Sequence, residues 1–474
     1  MRKEAPLIRL IEVEAFIHDI STRMPFRYGI ACMTAAPALH IRLTVEDSNG
    51  KTARGVAADG LPPRWFDKDP EKSLRRNVED QVKAMVLARD VYLDCGARAA
   101  TAAEHWQAAL PRVYEDGSRA GLNALTSAFG SSFFERAMLD ALARLRGLSF
   151  FELLKNDLTG FETAAILPDQ PLERLHCRHT VGLGDPIRAS DISSEDRLRD
   201  GLPQALEECI DEYGLSYFKV KVCGDDDTDL ERIGELTRLF EERCVDGYSI
   251  TLDGNEQYKD PRQLIELLDR LSRDASTGRF CERILFIEQP LSRETALSSG
   301  QEAGLRELAG TRPIIIDESD DSLDSFKRAV ALGYSGTSHK NCKGIFKSLH
   351  NRRIVCELNR EAGEERYFQS AEDLANLPII PLQQDLAAVA ALGIPHVERN
   401  GHHYFRGLDH LPPAEAASAL KAHPDLYQPF ANSARLLIRD GSLNVASLQG
   451  EGFGYACELS LEERLPLEDW SCSM

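Results

Sequence analysis

Five short runs in the middle of the chain end in, or carry, charged side chains. They read Tyr217-Phe218-Lys219-Val220-Lys221-Val222, Ile250-Thr251-Leu252-Asp253-Gly254-Asn255, Ile284-Leu285-Phe286-Ile287-Glu288-Gln289-Pro290, Ile314-Ile315-Ile316-Asp317-Glu318-Ser319 and Ser338-His339-Lys340-Asn341. A strand alternates its faces with period two, so Lys219 and Lys221 share one face, opposite Phe218 and Val220. Two ammonium groups facing inward together lower one another's pKa, which frees a neutral amine for proton abstraction. Glu288 ends four apolar residues, where a lone buried charge would be expensive. From Lys221 to Asp253 is 32 residues, to Glu288 a further 35, to Asp317 a further 29 and to Lys340 a further 23. Each step is about one strand plus one helix. Three grouped carboxylates suit a hard divalent cation such as Mg²⁺, which takes oxygen ligands, and Mn²⁺ would serve in its place. Lysines on either side of such an ion fit abstraction of the α-proton of a carboxylate substrate. An amine is too weak a base for that proton unless a cation stabilises the resulting enediolate.

The elements that must position these groups follow from the wider pattern. From about residue 179 short apolar strands alternate with amphipathic helices. The strands are expected at 179–183, 217–222, 248–253, 284–290, 313–318, 336–341, 367–370 and 396–399, and helices at 229–243, 262–273, 323–332 and 345–361. Eight such units over roughly 220 residues match a (β/α)₈ barrel, whose active sites lie at the C-terminal strand ends. A doubly wound sheet competes, but no glycine-rich turn opens the first unit. Ahead of the barrel, strands at 8–18, 38–47 and 51–57 include an Asn49-Gly50 turn. Helical patterns follow at 71–93, 101–114 and 129–154, giving an α+β unit over the first 150 residues. After residue 410 hairpin texture returns around Asp440-Gly441. The run Gly450-Glu451-Gly452-Phe453-Gly454 precedes no helix pattern, so it reads as a loop rather than a phosphate cradle.

Composition narrows the partners. The 474 residues carry 56 Lys+Arg against 76 Asp+Glu, a formal charge of −20, which argues against nucleic acid and anionic membrane surfaces. With 43% hydrophobic residues a large core can form. No 18-residue apolar stretch predicts a membrane span, and the opening Met1-Arg2-Lys3-Glu4-Ala5-Pro6 leads into no signal-peptide pattern. The 11 cysteines are scattered without a Cys-x-x-Cys pair, which disfavours a disulfide framework and a zinc site and fits reduced thiols in a cytoplasm. A small-molecule substrate and a homo-oligomeric assembly are expected.

Lys219-Val220-Lys221, Asp253-Gly254-Asn255, Phe286-Ile287-Glu288-Gln289-Pro290, Ile316-Asp317-Glu318-Ser319 and Lys340 together resemble the mandelate racemase/muconate lactonizing enzymes of the enolase superfamily. The lysine on strand six points to the muconate lactonizing branch. The resemblance covers most of the chain and implies an α/β fold: a modified (β/α)₈ barrel at 151–410 with a capping domain at 1–150, completed by segment 411–474. It implies Asp253, Glu288 and Asp317 as Mg²⁺ ligands, with Glu318 as the rival to Asp317. Lys221 and Lys340 would be opposed general acid/bases, Lys219 an electrostatic helper and Asn255 a support. Residues 24–29, with Arg27 and Tyr28, resemble that family's mobile substrate loop. Glu398 and His403 fall near strand eight, where the histidines would contact substrate or sit in a solvated loop. Gln369, Glu372 and Asp373 after strand seven would line the pocket or cap the next helix. The chain departs from the pattern after Lys340, where one glycine of a double-glycine segment is missing, and His339 reads as turned away. Racemisation or epimerisation, elimination and cycloisomerisation all begin with the expected step. A metal-dependent aldolase or hydrolase on a similar barrel, and a non-catalytic barrel, are the alternatives.

Overall fold

The computed structural model describes residues 4–28 and 31–472. The chain opens with an antiparallel sheet of β1 (Ile8–Tyr28), β2 (Ala31–Asp47) and β3 (Thr52–Gly60). β1 and β2 pair from Ile8↔Asp47 out to Tyr28↔Ala31, well beyond the expected 8–18 and 38–47. A register shift between Ser21 and Phe26 spans Pro25, which has no N–H to donate to a ladder. Alternation fails across that shift, which is why the sequence hides the extension. Of the segment expected as a loop, residues 24–28 are extended strand, and Gly29 lies outside the described residues.

Helices α1 (Leu74–Gly96), α2 (Ala102–Arg119), α3 (Ala124–Arg146) and α4 (Phe150–Lys155) follow. Ser73, Thr101, Asn123 and Ser149 cap them, each side chain accepting the backbone N–H three residues on. The helix expected over 129–154 is two, because Gly147 turns left-handed at φ 64° and Ser149 starts a new cap. α3 is the centre of this unit and is buried nearly all round, so its buried charges are hydrogen-bonded. Arg136 bonds Asp59, while Asp140 accepts the N–H groups of Val56 at 2.9 Å and Phe453 at 2.8 Å. β3 lies so close that a Cβ at Gly55 would stand 2.1 Å from the Ala137 carbonyl oxygen.

Among the described residues, the barrel consists of eight parallel strands: β4 (Arg174–Val181), β5 (Tyr217–Lys221), β6 (Ser249–Asp253), β7 (Ile284–Glu288), β8 (Ile314–Ile316), β9 (Gly336–His339), β10 (Phe368–Ala371) and β11 (His396–Arg399). They pair in chain order from β4 to β10, and β11 pairs with the other side of β4. The β10–β11 seam is crossed by side chains: the Asp373 N–H donates to Glu398 at 2.9 Å, and Arg399 lies 3.1 Å from Asp373. Around the strands run α5 (Leu206–Tyr213), α6 (Asp226–Arg243), α7 (Pro261–Arg273), α8 (Gly278–Glu282), α9 (Glu302–Ala309), α10 (Ser325–Leu332), α11 (Ile345–Ala362) and α12 (Ile380–Leu392), then α13 (Gly401–Tyr404) and α14 (Pro413–Ala422). α12 is buried along its whole length between barrel and cap, with Gln384 donating to the Val56 carbonyl at 2.7 Å. A helix with no solvated face has no amphipathic period, so its sequence gives little sign of it.

The hairpin of β12 (Tyr427–Phe430) and β13 (Ser433–Leu436) is followed by β14 (Ile438–Arg439) and β15 (Ser442–Asn444), joined by Asp440-Gly441 at φ 48° and 64°. That is the two-residue turn such a pair favours. β15 pairs antiparallel with β4, then the chain crosses to the N-terminal unit. There the Phe453 ring stacks on Phe150 at 3.8 Å, and β16 (Leu465–Pro466) pairs with β1 at Phe16 and Ile17. Among the described residues no helix is long and apolar enough to cross a membrane, and all eleven cysteines are free thiols.

Candidate active site

Strand register builds the site. Lys221 of β5 sits beside Asp253 of β6, which sits beside Glu288 of β7. Ile315 of β8 is the neighbour of Glu288, and Asp317 follows two residues further up the same face. Lys340 comes directly after β9. All five therefore meet at the C-terminal mouth of the barrel, with Lys219 one layer deeper.

Their contacts are ionic and buried. Lys219 Nζ lies 2.8 Å from Glu288, 2.9 Å from Glu398, and 3.0 Å from both Glu372 and Asp253, with its side chain only 1% exposed. Lys221 Nζ is 2.6 Å from Asp253 Oδ2, and Lys340 Nζ is 2.6 Å from Asp317 Oδ2. Lys340 also stands 4.3 Å above the Trp65 ring. Lys343 donates to Ser338 Oγ at 2.7 Å and to the Asp317 carbonyl at 3.2 Å, so it props Asp317 from below. Deeper still, Arg178 reaches Glu372 at 2.5 Å and Thr180 Oγ1 donates to Glu398 at 2.7 Å.

The expectation that a neighbouring ammonium lowers the pKa of Lys219 is corrected by this arrangement. Burial pushes Lys219 down, but Asp253, Glu288, Glu372 and Glu398 lift it well above its ordinary value. Burial likewise opposes the charge on Lys340, and Asp317 overrides it, so that pKa is raised too. Carboxylates surround each ammonium more closely than its fellow ammonium does. Burial would raise Asp253 and Asp317, yet Lys219 with Lys221, and Lys340 with Lys343, hold them below the usual carboxylate range. Glu288 goes the other way: burial, reinforced by Asp253 and Glu372, holds it well above. The mouth is therefore rich in acid, and three oxygen-donor side chains on adjacent strands are the donor set that a hard divalent cation takes. Asp253, Glu288 and Asp317 fit such an ion.

Over this polar floor lies an apolar roof. Phe26, Tyr28, Met33, Pro62 and Trp65 come from the cap, and Leu374 and Ala375 from the loop after β10. The space between floor and roof, open solvent included, is about 420 Å³. Tyr28 lines it with its hydroxyl donating to the Pro63 carbonyl at 2.7 Å. Asn255 and Glu398 line it as well, and the Asn255 N–H donates to Asp253 Oδ1 at 2.8 Å.

Other sequence candidates go elsewhere. Glu318 turns away from Asp317 toward Lys68, 3.8 Å off, because successive residues face opposite ways. Arg27 lines a separate cleft with Gly184, Asp185 and Arg232. His403 is buried outside the pocket, with Nδ1 3.6 Å from Cys209 Sγ. His339 is turned to Ser348 at 2.7 Å, and Gln369 donates to the Ser348 carbonyl at 3.0 Å. Glu372 faces the barrel interior, while Asp373 lines the pocket. Arg178 is not among the sequence candidates, because the first barrel strand starts at Arg174, five residues before the expected 179. Nor are the roof residues Met33, Trp65, Leu374 and Ala375, whose apolar types carry no signal of their own.

Residues 202–350 match the family described as enolase C-terminal domain-like. No curated protein matches the chain in sequence. Solved structures share its whole architecture. A muconate lactonizing enzyme from Pseudomonas fluorescens, complexed with muconolactone, is 17% identical with a TM-score of 0.60, over 96% of this chain and 98% of that one. An enolase from Bradyrhizobium complexed with magnesium and mandelic acid is 17% identical with a TM-score of 0.60, over 97% and 99%. The L-Ala-D/L-Glu epimerase from Bacillus subtilis is 15% identical with a TM-score of 0.58, over 95% and 100%. The fold is that of the enolase superfamily, a barrel of parallel strands beneath an N-terminal cap.

Proposed function

We propose that the chain is an enolase-superfamily enzyme of the muconate lactonizing-like branch, which removes the α-proton of a small carboxylate substrate with the help of Mg²⁺, or Mn²⁺ in its place. The observation that carries this reading is the flanking of one carboxylate triad by two lysines, Lys221 at 2.6 Å from Asp253 and Lys340 at 2.6 Å from Asp317. Asp253, Glu288 and Asp317 would hold the ion. When bound, it supplies the positive charge that these carboxylates otherwise draw from the lysines, and it stabilises charge developing on the substrate carboxylate. Lys221 and Lys340 then face a substrate from opposite sides, one taking the α-proton and the other able to return a proton. Lys219 stays charged among Glu288, Glu372 and Glu398 and keeps them from repelling one another. The roof of Phe26, Met33 and Trp65 suits an apolar group next to the substrate carboxylate. Solved relatives that hold muconolactone, mandelic acid or a dipeptide support small carboxylates as the class. Racemisation or epimerisation uses both lysines, whereas elimination and cycloisomerisation need proton removal by one. The units 1–150, 151–410 and 411–474 serve this site as cap, barrel and closing segment. Incubation in D₂O with panels of hydroxy acids, dipeptides and sugar acids, with and without Mg²⁺, tests the proposal. Deuterium enters the α-position of an accepted acid only with Mg²⁺ present. Absence of exchange across the three panels at saturating Mg²⁺ counts against it.

A further inference from the structure

His179 of β4, Cys209 of α5 and His403 of α13 bring their donor atoms within 4.8 Å of one another in the protein interior. We propose that they form a second metal site, for a borderline-soft divalent ion such as Zn²⁺, separate from the carboxylate mouth. The chemistry of the donors selects the ion. Two imidazoles and one thiolate suit zinc, whereas Mg²⁺ takes oxygen. Tetrahedral zinc with bonds of about 2.3 Å to sulfur and 2.0–2.1 Å to nitrogen has a sulfur–nitrogen edge of about 3.6 Å. Cys209 Sγ and His403 Nδ1 already stand 3.6 Å apart.

The surroundings supply what metal-bound histidines use. Nδ1 of His179 is engaged by His402 Nε2 at 3.0 Å, which fixes the ring and leaves Nε2 as the donor. On the far side of His403, Nε2 faces Asp185 Oδ2 at 4.0 Å. Asp185 is itself held by the Gly182 N–H at 2.7 Å and the Tyr404 hydroxyl at 2.5 Å. A carboxylate behind a metal-bound imidazole orients it and raises its basicity. Burial keeps His179 and His403 neutral, with lone pairs available, and holds Cys209 as a thiol. Binding therefore breaks the Cys209 S–H bond, forms a sulfur–metal bond and releases one proton to solvent for each ion. Water completes the fourth position.

Such an ion would tie α13 to β4 and α5. α13 directly follows Glu398 and Asn400, which line the pocket, and Arg23 of the cap donates to the His403 carbonyl at 2.9 Å. The ligands are 30 and 194 residues apart in sequence, so no short motif announces them.

The test uses the full chain, stripped with a chelator and titrated with Co²⁺ in a large excess of Mg²⁺ to occupy the carboxylate mouth. The site predicts a thiolate-to-cobalt charge-transfer band and tetrahedral d–d bands saturating at one ion per chain. Cys209→Ser should remove the charge-transfer band, and His403→Gln should weaken binding at least ~10–100-fold. X-ray absorption of the zinc-loaded unaltered protein needs no variant, and should show one sulfur with nitrogens in the first shell. A band that survives Cys209→Ser, Co²⁺ binding without a thiolate band, or a zinc shell without sulfur would each overturn the site.

Discussion

Replacing Lys219 with methionine keeps an unbranched stem of similar length and removes a cation shared by Asp253, Glu288, Glu372 and Glu398. The four carboxylates lie within 2.8–3.0 Å of Nζ, and the side chain is 1% exposed. Breaking a buried ion pair from one side costs about 3–5 kcal/mol, because the partner charges remain desolvated. Glu288 is already held well above the usual carboxylate range by burial and its acidic neighbours, so it takes a proton readily and relieves part of that cost. A loss near the lower end, about 3 kcal/mol, is expected at pH 7.5, a large share of the 5–15 kcal/mol that stabilises an ordinary fold. The sign with pH follows from the same carboxylates. Without Lys219 the folded pKa of Glu288, already raised, stands further above the unfolded one, so its destabilising effect is absent at low pH and grows as pH rises through the folded value. Urea denaturation with EDTA present, comparing variant with parent at pH 7.5 and again at pH 5.5, measures this directly. The deficit should shrink at the lower pH. A loss below about 1 kcal/mol would refute the shared counter-ion, and an equal deficit at both pH values would assign the loss to packing instead of charge.

Three further outcomes follow from the fold. Burial lowers the pKa of His339 to about 4, and of His18 and His396 to about 3, so each binds its proton less readily folded than unfolded. Their contribution is present above pH 6.5 and fades as pH falls, up to about 2 kcal/mol for each at pH 5, and the parent's urea midpoint should drop between pH 7.5 and 5. An unchanged midpoint would contradict the burial of these rings as neutral imidazoles. Gly55→Val should cost at least about 1–3 kcal/mol by thermal melting, because even a Cβ meets the Ala137 carbonyl oxygen at 2.1 Å. Phe453→Ala should cost about 3–5 kcal/mol and expose the C-terminal segment to limited proteolysis, since the ring is buried against Phe150; a protease-resistant tail would contradict that packing.

The barrel was legible because its middle strands include short apolar runs whose polar end marks the mouth, as in Ile284 to Glu288 and Ile314 to Asp317. The cap sheet was legible only where alternation held, so the bulged half of β1, with Phe26 and Tyr28 at its tip, escaped. α12 escaped for the opposite reason, being apolar on every face. At the mouth, spacing alone brought Lys219, Lys221, Asp253, Glu288, Asp317 and Lys340 to one rim. It could not weigh how many carboxylates surround each lysine, because Glu372 and Glu398 arrive from strands 150 residues and more downstream of Lys219. That is why the expected depression of the Lys219 pKa became a rise. Arg27 and His403 lie near the rim in sequence, but Arg27 turns into another cleft and His403 is buried against Cys209, which side-chain direction decides and spacing does not.

In the proposed reaction Lys221 and Lys340 exchange protons with a carboxylate substrate. Proton NMR in D₂O with Mg²⁺, on an acid that the parent exchanges, tests it with Lys221→Ala and Lys340→Ala side by side, each checked for an unchanged melting profile and retained Mg²⁺ binding. Loss of the lysine facing the α-proton should slow exchange by about 10²–10⁴-fold, the usual worth of a general base, and with an epimerised substrate each variant should lose a different enantiomer. Exchange at the parent's rate in both folded, Mg²⁺-binding variants would contradict that reaction.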